Sequence, residues 1–258
     1  MLTIGADPEL FVYENNQLSA GIGKVGGTKE RPYHYLGVPI QEDNVLVEFN
    51  TRPKGLAGLG FVREVNNALN KVREYCQTLG LEVRIETSNK YDLDQLKKYG
   101  RGAMEFGCDP DYNAHTRDIN PTPDPNTNVR TAGGHIHIGH NNKGNQLYDM
   151  AIVRACDLFM GVPSVLMDDD IDRRSVYGNA GAYRSKDYGV EYRTLSNFWL
   201  RSDDYIEWVT VQSRAAVKKA GIIDALVRKE WPTVTSCIND SDHDKARYLI
   251  NKFNLEVA

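Results

Sequence analysis

The chain has 258 residues, 41% hydrophobic, with 31 Lys and Arg against 35 Asp and Glu, for a formal net charge of −4. That size supports a sizeable core, as one large domain or two small ones, and the charge balance provides no global field for nucleic acid. No apolar run approaches the ~20 residues of a membrane span. The opening MLTIGADPEL has neither the basic nor the apolar region of a signal peptide, so a cytoplasmic protein without a membrane partner is expected. Cys76, Cys108, Cys156 and Cys237 stand far apart with no CxxC pair. They are expected to be reduced, packed thiols and not a zinc knuckle or a disulfide frame.

LTIGADPELFVY is predicted as a first strand. YHYLGVPIQ and NVLVEFNTRP follow as two more, with Asp43-Asn44 as a hairpin turn. Phe61, Val62, Val65, Leu69, Val72, Cys76 and Leu79 keep helical spacing and predict a long amphipathic helix over roughly 58–79. LEVRIET is a strand and DLDQLKKY a short helix. Residues 107–131 are rich in Pro, Asp and Asn, and form either a binding loop or a mobile insertion. TAGGHIHIGH is a strand, and NQLYDMAIVRACDLFMGVPSVLM a mostly buried helix. DDDIDRRSVYGNAGAYRSKD is polar and glycine-bearing, and is expected to be a loop. GVEYRTLSNFWL is the last clear strand, with two helices after it, roughly 203–228 and 242–253. Several strands are not separated by helices. The expected fold is α+β, one domain over 1–258 with a mainly antiparallel sheet and packed helices.

Chemistry concentrates on the strands. Side chains alternate faces along a strand, so His135 and His137 share one face and Ile136 and Ile138 the other. Gly133, Gly134 and Gly139 keep that surface open for a ligand or for nearby backbone. An isolated HxH is weak, because a solvated strand face produces it as readily. Other strands change the weighing. Asp7 and Glu9 share a face across a proline that marks an edge or bulge. Glu48, Asn50 and Arg52 oppose the apolar Val45, Val47 and Phe49. Glu191 and Arg193 share a face. Acids rarely sit inside apolar strands unless paired or bound to metal. Carboxylates with one imidazole suit Mg²⁺ or Mn²⁺, hard cations that hold phosphate. Arg173, Arg174 and Arg184 surround a glycine-bearing turn, and arginine suits bidentate phosphate contact; surface charges on a solvated loop would read the same. Neither GxxxxGK[ST] nor GxGxxG after a strand is present.

Together these blocks, in this order from residue 1 to about 200, resemble the glutamine-synthetase-like carboxylate–amine ligases. They most closely resemble the phage-type COOH–NH2 ligase (amidoligase) type 2 family. GADPELF is similar to that family's opening strand, which implies metal-ligand roles for Asp7, shorter than the usual Glu, and for Glu9. EDNVLVEFN resembles its paired acids on adjacent strands, implying Glu42 and Glu48. AGGHIHIG is similar to its histidine strand, implying that His135 binds metal and His137 contacts ATP phosphate. RRSVYGNAGAYR resembles its nucleotide loop, with Arg174 and Arg184 on phosphates. VEYRTL resembles its E-x-R strand, with Glu191 on metal and Arg193 on phosphate or on the acyl phosphate. The resemblance implies a glutamine-synthetase-like catalytic fold and a phage protein, placed in the host cytoplasm.

It further implies ATP-dependent amide or peptide-bond formation with Mg²⁺ or Mn²⁺, with small-molecule or peptide carboxylates and amines as substrates. ATP would phosphorylate the carboxylate, and an amine would attack the acyl phosphate, with metals and arginines (Arg184 and Arg193 as catalytic groups) neutralising the charge. Asn50 and Arg52 lie on the Glu48 face. A carboxylate-binding role for Arg52 competes there with a structural ion pair. Two other readings stand beside the ligase. One is a metal-dependent hydrolase or oxygenase built on the HxH strand. The other is a non-catalytic phage protein that binds nucleotide or peptide, or is purely structural.

Overall fold

The structure is a computed structural model and describes residues 2–104, 111–124, 127–168 and 171–258. Cys108 lies outside it, as does part of the expected 107–131 loop.

The predicted first strand is two. β1 (Thr3–Ala6) stops at Asp7-Pro8, and β2 (Glu9–Glu14) continues in a different sheet. Proline has no N–H to give a ladder, so the break falls where the sequence marks a bulge. β3 (Gln17–Leu18), β4 (Tyr33–Tyr35), β5 (Val38–Asp43) and β6 (Leu46–Phe49) follow, then β7 (Lys54–Gly55). β5 and β6 form the predicted hairpin. Asn44 turns it at φ +60°, in the left-handed region that asparagine tolerates. α1 (Gly60–Thr78) buries Phe61, Val62, Val65, Leu69, Val72 and Cys76 of the stripe its spacing predicts, while Leu79, at its C-cap, is exposed. Next come β8 (Glu82–Arg84), β9 (Ser88–Lys90), α2 (Leu93–Lys98), α3 (Arg101–Met104), β10 (Tyr112–Asn113), β11 (Val129–Thr131) and β12 (Ile136–Gly139). Asp92 caps α2 by accepting from the N–H groups of Asp94 and Gln95.

α4 (Gln146–Cys156), a π-helical turn (Asp157–Gly161) and α5 (Val162–Met167) form one continuous helical run. By length and composition Gln146–Met167 is apolar enough to cross a membrane, contrary to the sequence reading, but it is largely buried inside the protein as a core helix. The expected loop after it is also corrected. It contains α6 (Ile171–Val176) and β13 (Ala182–Lys186). α6 looks polar because its arginines are buried and point inward. Arg173 donates to the carbonyls of Thr194 and Leu195, and Arg174 to the Ser164 hydroxyl. β14 (Gly189–Tyr192), a 3-10 turn (Asn197–Arg201) and α7 (Asp203–Leu226) follow. α8 (Trp231–Asn239) was missed by the sequence reading. Its buried Val234, Cys237 and Ile238 are too few to show a period. α9 (His243–Phe253) closes the chain.

All strand pairings are antiparallel. The first sheet runs β10-β13-β14-β12-β1-β7, and the second runs β3-β2-β6-β5-β4 with β8 beside β2. This is the expected α+β class. In the first sheet, Ile4, Ile138 and Val190 form one cross-strand row and Ala6, Ile136, Tyr192 and Tyr183 another. These rows are buried in a core shared with the apolar faces of α4 and α7. The intervening row, Gly5, His137, Glu191 and Arg184, faces the opposite way. In the second sheet, Leu10, Val12, Ile40, Val47 and Phe49 pack with the α1 stripe, and Glu9, Glu48 and Gln41 form a cross-strand row on the other face. Cys76, Cys156 and Cys237 are buried free thiols, as expected.

Gly134 sits where the chain enters β12. A Cβ there would lie 2.2 Å from the Ser196 carbonyl oxygen and 2.5 Å from Trp199 Nε1. Gly134→Ala is therefore expected to destabilise the protein by about 1–3 kcal/mol, as forced overpacking does. Gly221, exposed within α7, has nothing within 4 Å of an added Cβ, so Gly221→Ala should stabilise it by roughly 0.5–1 kcal/mol. Chemical denaturation of both variants checks the two signs.

Candidate functional site

The Asp7-Pro8 corner carries the chain from one sheet to the other. It is held by N–H donation from Thr51 to the Ala6 carbonyl (2.9 Å) and from Phe49 to the Pro8 carbonyl (3.2 Å). One acid therefore projects from each side of the junction. Asp7 joins His135 and Glu191, with one donor atom from each lying within 4.8 Å of the others. Glu9 joins Asp43 and Glu48 within the same limit. Both groups line one cavity of about 400 Å³, whose wall also carries Arg184, Lys186 and Arg193.

The glycine pair explains how the histidine is presented. Glu9 and Gly133 tie two segments together: Glu9 N–H donates to the Gly133 carbonyl at 2.9 Å, and Gly133 N–H to Glu9 Oε2 at 2.6 Å. A Cβ on Gly133 would lie 2.4 Å from His135 Nε2, so only glycine leaves room for the imidazole. The ring turns Nδ1 toward Asp7 Oδ1 (3.4 Å) and Glu191 Oε1 (3.7 Å). His137 Nε2 lies 3.1 Å from Asp7 Oδ2, and its Nδ1 pairs with the Tyr188 hydroxyl. His140, the third histidine of the stretch, is a structural group, buried and 2.7 Å from Asp149.

The two groups differ electrostatically. Burial pushes Asp7 up, but His137 and His135 outweigh it and hold the carboxyl well below the usual range. Burial and Asp7 push Glu191 up, yet Arg193, His135 and His137 hold it down at about 2. Glu9 is pushed up to about 8 by burial and Asp43, against the Gly133 N–H and Arg193. Glu48 rises well above the carboxylate range through burial and the charges of Asp7, Asp43 and Glu9. His135 is lowered by burial and Arg193. His137 is raised, because Asp7 and Glu191 overcome its burial.

The donor set suits a hard divalent cation, being carboxylate oxygens with a single imidazole. Asp7 Oδ1 is buried without a hydrogen-bond donor among the described residues. Crowded carboxylates that hold protons are groups that a cation would deprotonate.

Several expected residues are brought to this cavity: Asp7, Glu9, Glu42, Glu48, His135, Arg184, Glu191 and Arg193. Glu42 lines it outside the two acid groups, and His137, Arg174, Arg52 and Asn50 do not line it. Gln41, not Glu42, is the cross-strand partner of Glu48, and the Glu42 carboxylate accepts from the Gly26 N–H at 2.7 Å at the cavity wall. Asp43, which the sequence did not single out as a ligand, stands in the group with Glu9 and Glu48. Arg174 is 4% exposed and donates to Ser164 among the helices, and it is not among the residues lining the cavity. Arg52 is exposed and donates to the Gly37 carbonyl at 3.2 Å, with its N–H on Glu64. Asn50 lines a separate, more apolar pocket beside His137 and Tyr188.

The sequence reading missed Asp111, Tyr177 and Lys186. Asp111 lies 2.6 Å from Arg193 Nε and 3.6 Å from Arg184 Nε. The Tyr177 hydroxyl accepts from Arg193, and Lys186 Nζ is 2.6 Å from Glu191 Oε2. Lys186 was legible, since it stands two residues from Arg184 on the same strand face. Asp111 had no local pattern to reveal it.

Residues 126–230 match the family model described as phage phiEco32-like COOH–NH2 ligase type 2. That is the family to which the motifs pointed. The span includes His135, His137, Arg184, Glu191 and Arg193, while the acids of the Asp7-Pro8 corner and the hairpin precede it. No curated protein matches the chain. Similar solved structures include an apo GmaS without ligand, at 12% identity and TM-score 0.46, covering 98% of this chain and 68% of that one. A GmaS/ADP complex aligns at 10% identity and TM-score 0.47, with the same coverage of 98% and 68%. A novel glutamine synthase homolog aligns at 11% identity and TM-score 0.36, covering 97% and 66%.

The raised Glu9 carboxyl has a pH consequence for the cation-free protein. A folded-state pKa near 8 against an unfolded value of 4.5 means the folded chain binds the extra proton. The associated stability is fully present below pH 4.5 and is lost as pH rises through 8. The melting temperature in EDTA is expected to fall between these limits. Glu9→Gln, which cannot ionise, should flatten that fall, and Mg²⁺ or Mn²⁺ should offset it. A pH series of melting curves with and without the cation tests all three.

Proposed function

We propose that this protein is an ATP-dependent carboxylate–amine ligase that uses Mg²⁺ or Mn²⁺. One observation carries the reading. Two three-residue acid groups, one on each side of the Asp7-Pro8 corner, open into a single cavity that also holds Arg184, Lys186 and Arg193. Acids that gather cations, beside cations that gather phosphate, fit phosphoryl transfer, where positioning and charge neutralisation do most of the catalysis. The family match over residues 126–230 supports the same class of reaction.

In this reading Asp7, His135 and Glu191 hold one cation, and Glu9, Asp43 and Glu48 another. Bound there, the ions neutralise charge on the polyphosphate and polarise its phosphoryl oxygens. Arg184, Lys186 and Arg193 hold the transferred phosphoryl oxygens. A carboxylate oxygen of the substrate attacks the γ-phosphorus and ADP leaves. The amine nitrogen then attacks the acyl carbon of the acyl phosphate, inorganic phosphate leaves, and the amine gives up a proton. Asp111 and Tyr177 position Arg193, by the 2.6 Å ion pair and the hydroxyl contact.

A hydrolase or oxygenase site built on two histidines and one carboxylate is less well supported. Each acid group contains one histidine at most among the described residues. His137 is engaged by Asp7 and Tyr188.

Calorimetric titration of Mg·ATP tests the proposal. Binding is expected to require Mg²⁺ or Mn²⁺ and to weaken about ten-fold or more in Glu9→Gln, a loss of about 1.4 kcal/mol. ADP release should then appear in a screen of carboxylate and amine pairs. The absence of nucleotide binding with either cation would sink the ligase reading. Arg52→Ala should leave both nucleotide affinity and turnover near wild type, because its side chain is exposed and bonded to Gly37.

A further inference from the structure

On the helix side of the first sheet lies a second cavity, of about 430 Å³, lined by His115, Arg117, Arg154, Asp224, Arg228 and Trp231. It shares no lining residue with the acid cavity. Its charge is of the opposite sign. Arg154 is matched by Asp224 at 2.6 Å and donates through Nε to the Ala114 carbonyl. Arg117 and Arg228 are exposed and make no ion pair with a described residue. Two uncompensated guanidiniums therefore remain at the mouth. Arg117 is held there in an uncommon backbone conformation, φ +69°, by a turn in which Asn113 Oδ1 accepts from the N–H groups of His115 and Thr116.

The floor is built and rigid. His115 Nε2 is 2.7 Å from Asp157 Oδ2, and Asp157 is fully buried. Asp157 Oδ1 accepts from the Tyr192 hydroxyl at 2.8 Å and from the Thr194 hydroxyl at 3.3 Å. The half-buried Trp231 packs its indole on His115, with ring centroids 5.3 Å apart, and lines the rest of the cavity. Guanidiniums recognise phosphate oxygens in bidentate fashion, and an indole wall accepts a planar ring. A cavity of this volume falls in the range of small-molecule sites.

We infer that this cavity is a second ligand site, which takes a small phosphorylated molecule with a planar ring: the phosphate on Arg117 and Arg228, the ring against Trp231. Its floor reaches the acid cavity through one strand. Tyr192 and Thr194 contact Asp157, and the residues that alternate with them, Glu191 and Arg193, face the acid groups. A ligand here thus bears on the strand that presents two of the proposed catalytic-site residues, which is the position of an effector.

AMP is the probe, titrated into the full chain in EDTA so that no cation is available to the acid cavity. The signal is indole fluorescence, assigned by its loss in Trp231→Phe; Trp199 and Trp208 are buried elsewhere. A saturable change is expected, displaced by inorganic pyrophosphate and not by adenosine. The affinity should fall about ten-fold or more in the Arg117→Ala/Arg228→Ala double variant and be unchanged in Arg184→Ala. Both arginines are exposed and unpaired, so an unchanged melting temperature should show that the double variant still folds. The inference is overturned by the absence of a saturable change, by adenosine binding as tightly as AMP, or by binding that survives the double variant and disappears in Arg184→Ala. None of these outcomes depends on whether the acid cavity binds Mg·ATP.

Discussion

Like-charge crowding is the constraint around which this fold is arranged. Asp7, Glu9, Asp43, Glu48 and Glu191 are drawn into one cavity, where burial removes the water that would screen them. Close carboxylates in such surroundings repel unless they are protonated or matched by cations. The protein uses both solutions. Arg193, His135, His137 and Lys186 surround Asp7 and Glu191, whereas burial and the neighbouring acids push Glu9 up to about 8 and Glu48 well above the carboxylate range. Apolar rows behind both sheets provide the packing that holds these groups together. The crowding is sustained by the core and is not itself a source of stability.

The Asp7-Pro8 corner converts a sequence pattern into a two-sided site. A continuous strand would place Asp7 and Glu9 side by side on one face, about two residues apart. Splitting it puts Asp7 against β12 and β14 and Glu9 against β6 and β5. Neighbouring acids in the chain therefore serve different groups. The same economy appears at Gly133 and Gly134. One leaves space for the His135 ring, and the other for the Ser196 carbonyl and Trp199, while the Trp199 indole donates to the Gly134 carbonyl at 3.0 Å.

What was legible in the sequence follows from period. The α1 stripe, the hairpin at Asn44 and the alternating faces of β6, β12 and β14 are local patterns, and they appear where predicted. α6 was hidden because its arginines are buried by hydrogen bonds to distant carbonyls, a tertiary fact that looks like surface polarity. Asp43 joins Glu9 and Glu48 because a single residue of register sets which side chains share a face: Gln41 is the partner of Glu48, and Glu42 that of Val47. Asp111 reaches Arg193 only through the fold, and its chain neighbours carry no period. Arg52 continued the alternation of β6 on paper, but the strand ends at Phe49, so the parity no longer applied.

Arg193 explains why the two acid groups are unequal. Its guanidinium pairs with Glu191 and Asp111 and approaches His135 Nδ1 at 3.3 Å. It occupies, with a side-chain charge, part of the electrostatic role a divalent ion would have beside Asp7 and Glu191. With His135 and His137 it holds the Glu191 carboxyl low, while those two imidazoles hold Asp7 low. No ion pair to the Asp43 or Glu48 carboxylate is made by a described residue, and burial and the neighbouring acids hold Glu48 up. In the proposed reading, a cation held by Glu9, Asp43 and Glu48 would relieve the repulsion that pushes Glu9 and Glu48 up. A cation entering beside Asp7 must instead share its ligands with Arg193. The first gains more free energy from the site's electrostatics than the second, so the Glu9 group is the one that should fill first as cation concentration rises.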